Sequence, residues 1–566
     1  MFKPKQSILT LISMVFSLSA ATALATPTVV TNVNGYTLST SEGGSTTIPP
    51  KWRSFKTLVF EHGKVVEIGD DTIGKKYPDG KVIDGQGHTL LPGLIDAHGH
   101  VLGLGFGRLN VDVRSLKSAT DTALAVQRYA KQHPELSWIK GRGWNQELWP
   151  SRQFPNAKDL DEYVTDRPVW LRRVDGHAGW ANRKALAYAG INKDTLDPAG
   201  GLIIRDAKGE PTGVLVDNAM DLLESRLPQA TVAERQSALD IATQHLLSLG
   251  LTSVHDAGIG GDVYQLYQQN VKNNRLELRI YAMLASTEPQ LLALLQQGRF
   301  KDDKDMLSMR SVKLSVDGAL GSRGAALLSP YSDRAEQQGL MLASTAQLDL
   351  LFEQVLKHQF QLNVHAIGDK GNRVVLDYFE KSFKEIGDQG LRHRIEHAQV
   401  VALADIPRFK TLNILPSMQP THATSDMNMA QDRVGKERLK GAYAWQKFLQ
   451  QGSRIASGSD FPVELANPFY GIHAAVTRQN RQNQPVGGWV PEEAMTVAQA
   501  LTSFTLDAAY AAHQDNIIGS LEPGKWADFI MIDQDPFSIA PAQLWQTKVL
   551  QTWVAGQMKH QSATAK

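Results

Sequence analysis

The chain contains a short stretch, "HTLLPGLIDAHGHVLG" at residues 88–103, in which an apolar run through Leu90, Leu91, Leu94 and Ile95 ends in Asp96-Ala97-His98-Gly99-His100. The run is long enough for one buried strand and too short to span a membrane. Successive strand side chains point to opposite faces, so His98 and His100 are expected to point the same way. Two imidazoles on one face can hold one cation, and two surface histidines beside a loop fit the same pattern. Similar apolar runs end near Lys313 in "VKLSVDGALGSRGAAL", His365 in "LNVHAIGDKGN", His397 in "RIEHAQ" and Asp460 in "GSDFPV". There are no cysteines, which excludes disulfides, thiolate zinc sites and cysteine nucleophiles. Any metal must therefore be held by histidine, carboxylate or a less usual ligand. Four imidazoles and a carboxylate suit zinc, with manganese or iron open. The sequence around Asp460 lacks a serine nucleophile elbow.

These residues need elements that bring them together. Eight apolar runs read as strands: 90–98, 251–256, 278–284, 311–317, 361–365, 394–397, 412–418 and 454–460. Helical patterns lie between them, such as "TAQLDLLFEQVLKHQ" and "KGNRVVLDYFEKSFKEIG". The alternation predicts an α/β fold, a (β/α)8 TIM-type barrel, whose functional residues gather at the C-terminal ends of strands. His98 and His100 then belong to strand one, Lys313 to four, His365 to five, His397 to six and Asp460 to eight. About 150 residues separate strands one and two, too many for a loop, so an inserted subdomain is expected at about 105–248. Short β-like runs at both ends predict a small β-sandwich built from residues 26–90 and 514–566 around a barrel over 91–513.

Lys313 is the odd member of the set. It alternates with Val312 and Leu314 and shares a face with Ser315 and Asp317. A buried ammonium beside a divalent cation is disfavoured by desolvation and by like charge. Either the amine is neutral, or it turns away to the barrel rim, or it has reacted with CO2 to give a carbamate that can bridge two metals.

Length and composition set outer bounds. The chain has 566 residues, 42% hydrophobic and 21% charged, enough for more than one structural unit. A net charge of +1 gives no overall field toward nucleic acid or an anionic membrane. Lys3 and Lys5, the apolar "ILTLISMVFSLSAA" and Ala23-Leu24-Ala25 read as a signal peptide over residues 1–25. An exported, periplasmic protein is expected, with no membrane anchor after cleavage. Its partner would be a small-molecule substrate, and a homodimer is left open.

The five motifs "LPGLIDAHGH", "VKLSVDGALGSRGAAL", "LNVHAIGDKGN", "RIEHAQ" and "GSDFPV", in this order, resemble the amidohydrolase superfamily. More narrowly they resemble amidohydrolase family 3, the YtcJ-like branch that includes N-substituted formamide deformylase. The likeness runs from about residue 30 to the C-terminus, including the closing "GSLEPGKWADFIMID". It implies that His98, His100, His365, His397 and Asp460 ligate one or two divalent metals, with zinc first, and that Lys313 is the carboxylated bridge. A metal of this kind lowers the pKa of bound water to roughly 7, and Asp460 can pass the attacking proton to a leaving nitrogen.

Substrate contacts are expected from the loops and the insertion. His255 and Asp256 end strand two and line the pocket unless His255 is a core histidine. Trp144 and His177 lie in the insertion and could close over substrate, while Arg323 and His422 follow strands four and seven. The expected reaction is hydrolysis of an amide, N-formyl or cyclic amide C–N bond. A related metal hydrolase or deaminase, and a non-catalytic exported regulatory protein on the same scaffold, are the alternatives.

Overall fold

A computed structural model of the chain describes residues 26–39 and 51–563. The expected signal peptide and its cleavage site at Ala25 lie outside the described residues. Among the described residues no helix is long and apolar enough to cross a membrane.

Eight parallel strands form the central sheet: β1 (Leu94–Gly99), β2 (Leu251–Ile259), β3 (Arg279–Ala285), β4 (Leu307–Ser315), β5 (Gln361–Ala366), β6 (Arg394–His397), β7 (Leu415–Met418) and β8 (Ala456–Ser457). They pair in sequence order from β1 to β8. The first and last strands meet beyond β8, through a parallel bridge between Gly99 and Phe461. There the Asp460 amide donates to His98 O at 2.7 Å and the His100 amide to Phe461 O at 2.8 Å. The sheet is thus a nearly closed (β/α)8 barrel. Its strands are buried on both faces, but only one is apolar: in β5, Leu362, Val364 and Ala366 join the main core while Gln361, Asn363 and His365 alternate with them. The helix Thr345–Lys357 shows how helices cover the apolar face: Ser344 and Gln347 form a capping box, and Leu348, Phe352, Val355 and Leu356 make one buried stripe.

Four expected strand boundaries need correction. The run at 90–98 is two strands, Thr89–Pro92 and β1, separated by Gly93. A side chain at 93 would meet Thr252 Oγ1 at 2.2 Å, and the Gly93 amide donates to Asp528 O, so the chain changes sheets at this residue. Strand four begins at Leu307 and ends at Ser315, before Asp317, whose buried carboxylate accepts the amides of Ala326, Ile367 and Gly368. Strand seven begins at Leu415, because Leu412 caps the preceding helix. The expected eighth strand at 454–460 shrinks to Ala456–Ser457.

Residues 111–217 contribute a separate six-stranded sheet, with the strands Val111–Asp112, Ile139–Trp144, Val169–Arg173, Ala178–Ala181, Gly201–Arg205 and Pro211–Asp217. Its core holds Trp144, Trp149 and Trp180. Strands from both chain ends share another sheet, in which Thr89–Pro92 lies between Asn34–Ser39 and Phe529–Ile532. A four-stranded sheet from the N-terminal part packs on it through Leu58, Phe60, Phe529 and Trp553. The buried Arg279 at the start of β3 makes a two-point ion pair with Asp528 at 2.6 and 3.0 Å, fixing this region to the barrel base.

Candidate active site

The site forms where β1, β4, β5, β6 and the turn after β8 end. His98 is fully buried in β1, whereas His100 lies past the strand end as the N-terminal cap of the helix Val101–Leu109. Their rings are 5.6 Å apart and perpendicular, not side by side on a strand face as the spacing suggested. Asp460 follows β8 with φ 59°. Buried Asp96 holds this turn by accepting the amide and hydroxyl of Ser459. Asp460 Oδ1 then stands 3.1 Å from His100 Nε2 and 3.7 Å from His98 Nε2. Burial opposes its charge, but His100 and His98 outweigh that cost and hold the carboxyl well below the usual range.

His397 shows why strand periodicity understates this site. Glu396 and His397 are consecutive, so a regular strand would point them to opposite faces. Both reach the cluster because His397 has φ 73° and Ala398 φ 43°. Glu396 Oε2 lies 2.6 Å from His98 Nδ1, and Gln419 Oε1 lies 2.7 Å from His397 Nδ1. Each acceptor places the proton on Nδ1 and leaves Nε2 with a free lone pair, as a metal ligand requires. The His397 ring is 4.8 Å from that of His98, 4.5 Å from that of His365 and 5.8 Å from that of His422. Burial lowers the basicity of His98 to about 4, with Lys313 next in effect, and pushes His365 and His397 well below their ordinary value. Neutral imidazoles are the state that binds metal. Lys313 Nζ points into the cluster, 3.3 Å from His98 Nε2, and burial also lowers its basicity.

The donor atoms fit a divalent cation. Ligand atoms of His98, His100 and Asp460 lie within 4.8 Å of one another, as do those of His397, His422 and Asp460, so Asp460 belongs to both groups. His365 Nε2, His422 Nε2 and Asp460 Oδ1 are buried and make no hydrogen bond. Buried polar atoms are nearly always satisfied, and the orphans of His422 and Asp460, which belong to one donor group, suit a cation, while His365 Nε2 faces Asp317 Oδ1 at 3.5 Å. His422, expected as a substrate contact, lines the cavity onto which the cluster opens and also brings Nε2 to 3.7 Å from Asp460 Oδ2.

The cluster opens into a cavity of about 1100 Å³ between the barrel and the inserted sheet. Of the other expected contacts, His177 and Asp256 line it. His177 Nδ1 is 2.7 Å from Asp217 Oδ1, and its ring lies 5.1 Å from that of His365. Asp256 is committed to Tyr267 and the Val101 amide. Three expectations are corrected. Trp144 is fully buried in the core of the inserted sheet, its Nε1 donating to Leu171 O, and does not line the cavity. His255 lies beneath the site against Arg394 at 3.0 Å. Arg323 is paired with Asp333 away from the cavity wall. Sequence reasoning missed Glu396, Gln419 and the cavity-lining Arg142; the one signal for Glu396 was a carboxylate beside His397 in "RIEH".

Comparison with known proteins agrees with this geometry. The amidohydrolase family signature matches residues 81–560. The putative amidohydrolase YtcJ of Bacillus subtilis is 32% identical over 517 residues, 90% of this chain and 96% of that protein. The N-substituted formamide deformylase of Arthrobacter pascens is 28% identical over 525 residues, 89% of this chain and 95% of that protein. The crystal structure of an uncharacterized metal-dependent hydrolase from Pyrococcus horikoshii superposes with a TM-score of 0.73 at 28% identity, covering 91% of this chain and 99% of that one.

Proposed function

The chain belongs to the amidohydrolase family, and from that premise we propose that this hydrolase cleaves an amide, N-formyl or cyclic amide C–N bond of a small molecule. The observation that carries the reading is Asp460, whose carboxylate is shared by two groups of imidazoles at the floor of an open cavity. His98, His100, His365, His397, His422 and Asp460 would hold one or two divalent metals, zinc first, and Lys313 as a carbamate would add an anionic bridge. When bound, the metal supplies Lewis acidity and charge compensation.

The chain's own groups perform the proton movements. Asp460 accepts a proton from the attacking water as its oxygen bonds to the acyl carbon. The same carboxyl then delivers that proton to the nitrogen as the C–N bond breaks. Glu396 and Gln419 keep His98 and His397 in the tautomers that leave Nε2 free. His177 faces the same cavity; burial opposes its charge, but Asp217 at Nδ1 outweighs that and raises its basicity, so that as an imidazolium it donates its Nε2–H to the substrate acyl oxygen. We also propose that the sheets built from both termini form one β-sandwich, that residues 105–248 are a subdomain roofing the site, and that the chain is exported.

The test is a screen of N-formyl and N-acetyl amines on zinc-loaded protein, with metal content measured alongside. Release of free amine that stops with a chelator and returns with zinc is expected. Protein that binds zinc at these residues yet cleaves no C–N bond would refute the reading.

A further inference from the structure

Four arginines from the inserted sheet line the cavity, and three of them are committed. Arg114 pairs with Asp112, Arg172 with Glu224, and Arg173 with Asp175 while also bonding Gln146 and Asn145. Arg142 differs. Its Nη2 donates to Val174 O at 2.9 Å, its Nε is buried without a partner, and no ion pair joins it to any carboxylate of the described residues.

The register shows that this isolation is costly. Arg142 lies directly beside Arg172 on one neighbouring strand and Asp112 on the other. Like charges in adjacent positions repel, and the carboxylate of Asp112 is turned to Arg114. Burial, followed by the repulsion of Arg172, pushes the Arg142 guanidinium down to about 10. The other carboxylates on the cavity wall are also taken: Glu147 by Arg433, Asp426 by Tyr443 and Gln399, and Glu464 by Ser425. Asp460 belongs to the imidazole cluster. Among the described residues of the wall, Arg142 is thus the half-buried guanidinium with an unpartnered N–H and no ion pair, whereas Arg481 is exposed and lies over the Tyr470 ring. A planar guanidinium with unused N–H groups is matched by a carboxylate, which can accept two parallel hydrogen bonds.

We propose that Arg142 receives a free carboxylate of the substrate, so that the bond cleaved beside Asp460 belongs to a carboxylate-bearing amide such as an N-acylated amino acid. This inference rests on the amide-hydrolase reading for its chemistry and on Arg142 for its specificity. The anionic end of the substrate lies toward the inserted sheet.

The experiment compares matched pairs on the full-length, zinc-loaded protein. N-formyl and N-acetyl amino acids are set against the same compounds with a primary amide in place of the carboxylate, and kcat/KM is read from amine release. The non-hydrolysable N-methanesulfonyl amino acids and their primary amides give Kd by titration calorimetry. A charge-assisted pair of this kind favours the acid by about 10- to 100-fold in both measurements. Arg142→Gln should bring the ratio close to one and Arg142→Lys should keep part of it. Equal Kd values for acid and amide on the unaltered protein, or a preference that survives in Arg142→Gln, would overturn the inference. Because the first of these outcomes needs no variant, a folding failure of Arg142→Gln leaves the test intact. Preferential binding of the sulfonyl acids with no acyl compound cleaved would refute the hydrolase reading and keep the carboxylate site. Cleavage of acids and amides alike, with equal binding, would do the reverse.

Discussion

Glu396→Gln separates the two jobs of one buried carboxylate. Oε2 accepts the proton on His98 Nδ1 at 2.6 Å, and Oε1 lies 3.2 Å from Arg394 Nε, with all three side chains fully buried. Burial by itself would raise the carboxyl, yet Arg394 and then His98 hold it near 2, so both partners experience a full negative charge. Glutamine keeps the size and one acceptor oxygen but removes that charge. Arg394 would then be left as a buried guanidinium with Asn363 Oδ1 at 3.0 Å and His255 Nδ1 at 3.0 Å as its neutral partners. Removing one member of a buried pair costs about 3–5 kcal/mol, and the retained amide places the expected loss at about 3. The second effect is on metal affinity, since His98 loses its anionic partner: a 10- to 100-fold fall, or about 1.4–2.8 kcal/mol. Urea unfolding of the chelated protein reads the first effect, and competition with a chromophoric chelator reads the second. A double cycle with Arg394→Met should recover most of the stability and none of the affinity. Zinc affinity within threefold of the unaltered protein in folded Glu396→Gln would refute the argument that this carboxylate tunes His98.

The other predictions address single groups. Asp460→Asn should lower kcat by about 10²- to 10⁴-fold and reduce bound metal, as read by turnover and metal analysis. Lys313→Ala should abolish activity and lower metal content, and short carboxylic acids should restore part of both by standing in for the carbamate; full activity with two metals per chain would show that its amine is dispensable. Trp144→Ala should destabilise the chain by about 3–5 kcal/mol, because the ring is fully buried and its Nε1 bonds Leu171 O. Metal content should not change in that variant, and a fall in metal with no loss of stability would contradict its place in the core.

The local sequence was enough to determine which residue types could meet at a metal. Apolar runs of strand length alternate with helical stripes, and the polar residues that end them lie at barrel-strand termini by the geometry of the fold. That the rings of His98, His365 and His397 are neighbours was legible for that reason, and so was the excess chain between strands one and two. Tertiary structure decided everything that depended on a departure from periodicity or on a distant partner. Period-two alternation assumes extended backbone, so it could not show that positive φ at His397 brings Glu396 to the same cluster. His98 and Glu396 are 298 residues apart, and no local pattern records which distant carboxylate orients which ring. Trp144 and Arg142 lie two residues apart on one strand, yet one is core and the other lines the cavity. That division arises from the register shift between Arg142 and Trp144, where Gly143 has φ 111°, and it, like the missing counter-ion of Arg142, exists only once the neighbouring strands are in place.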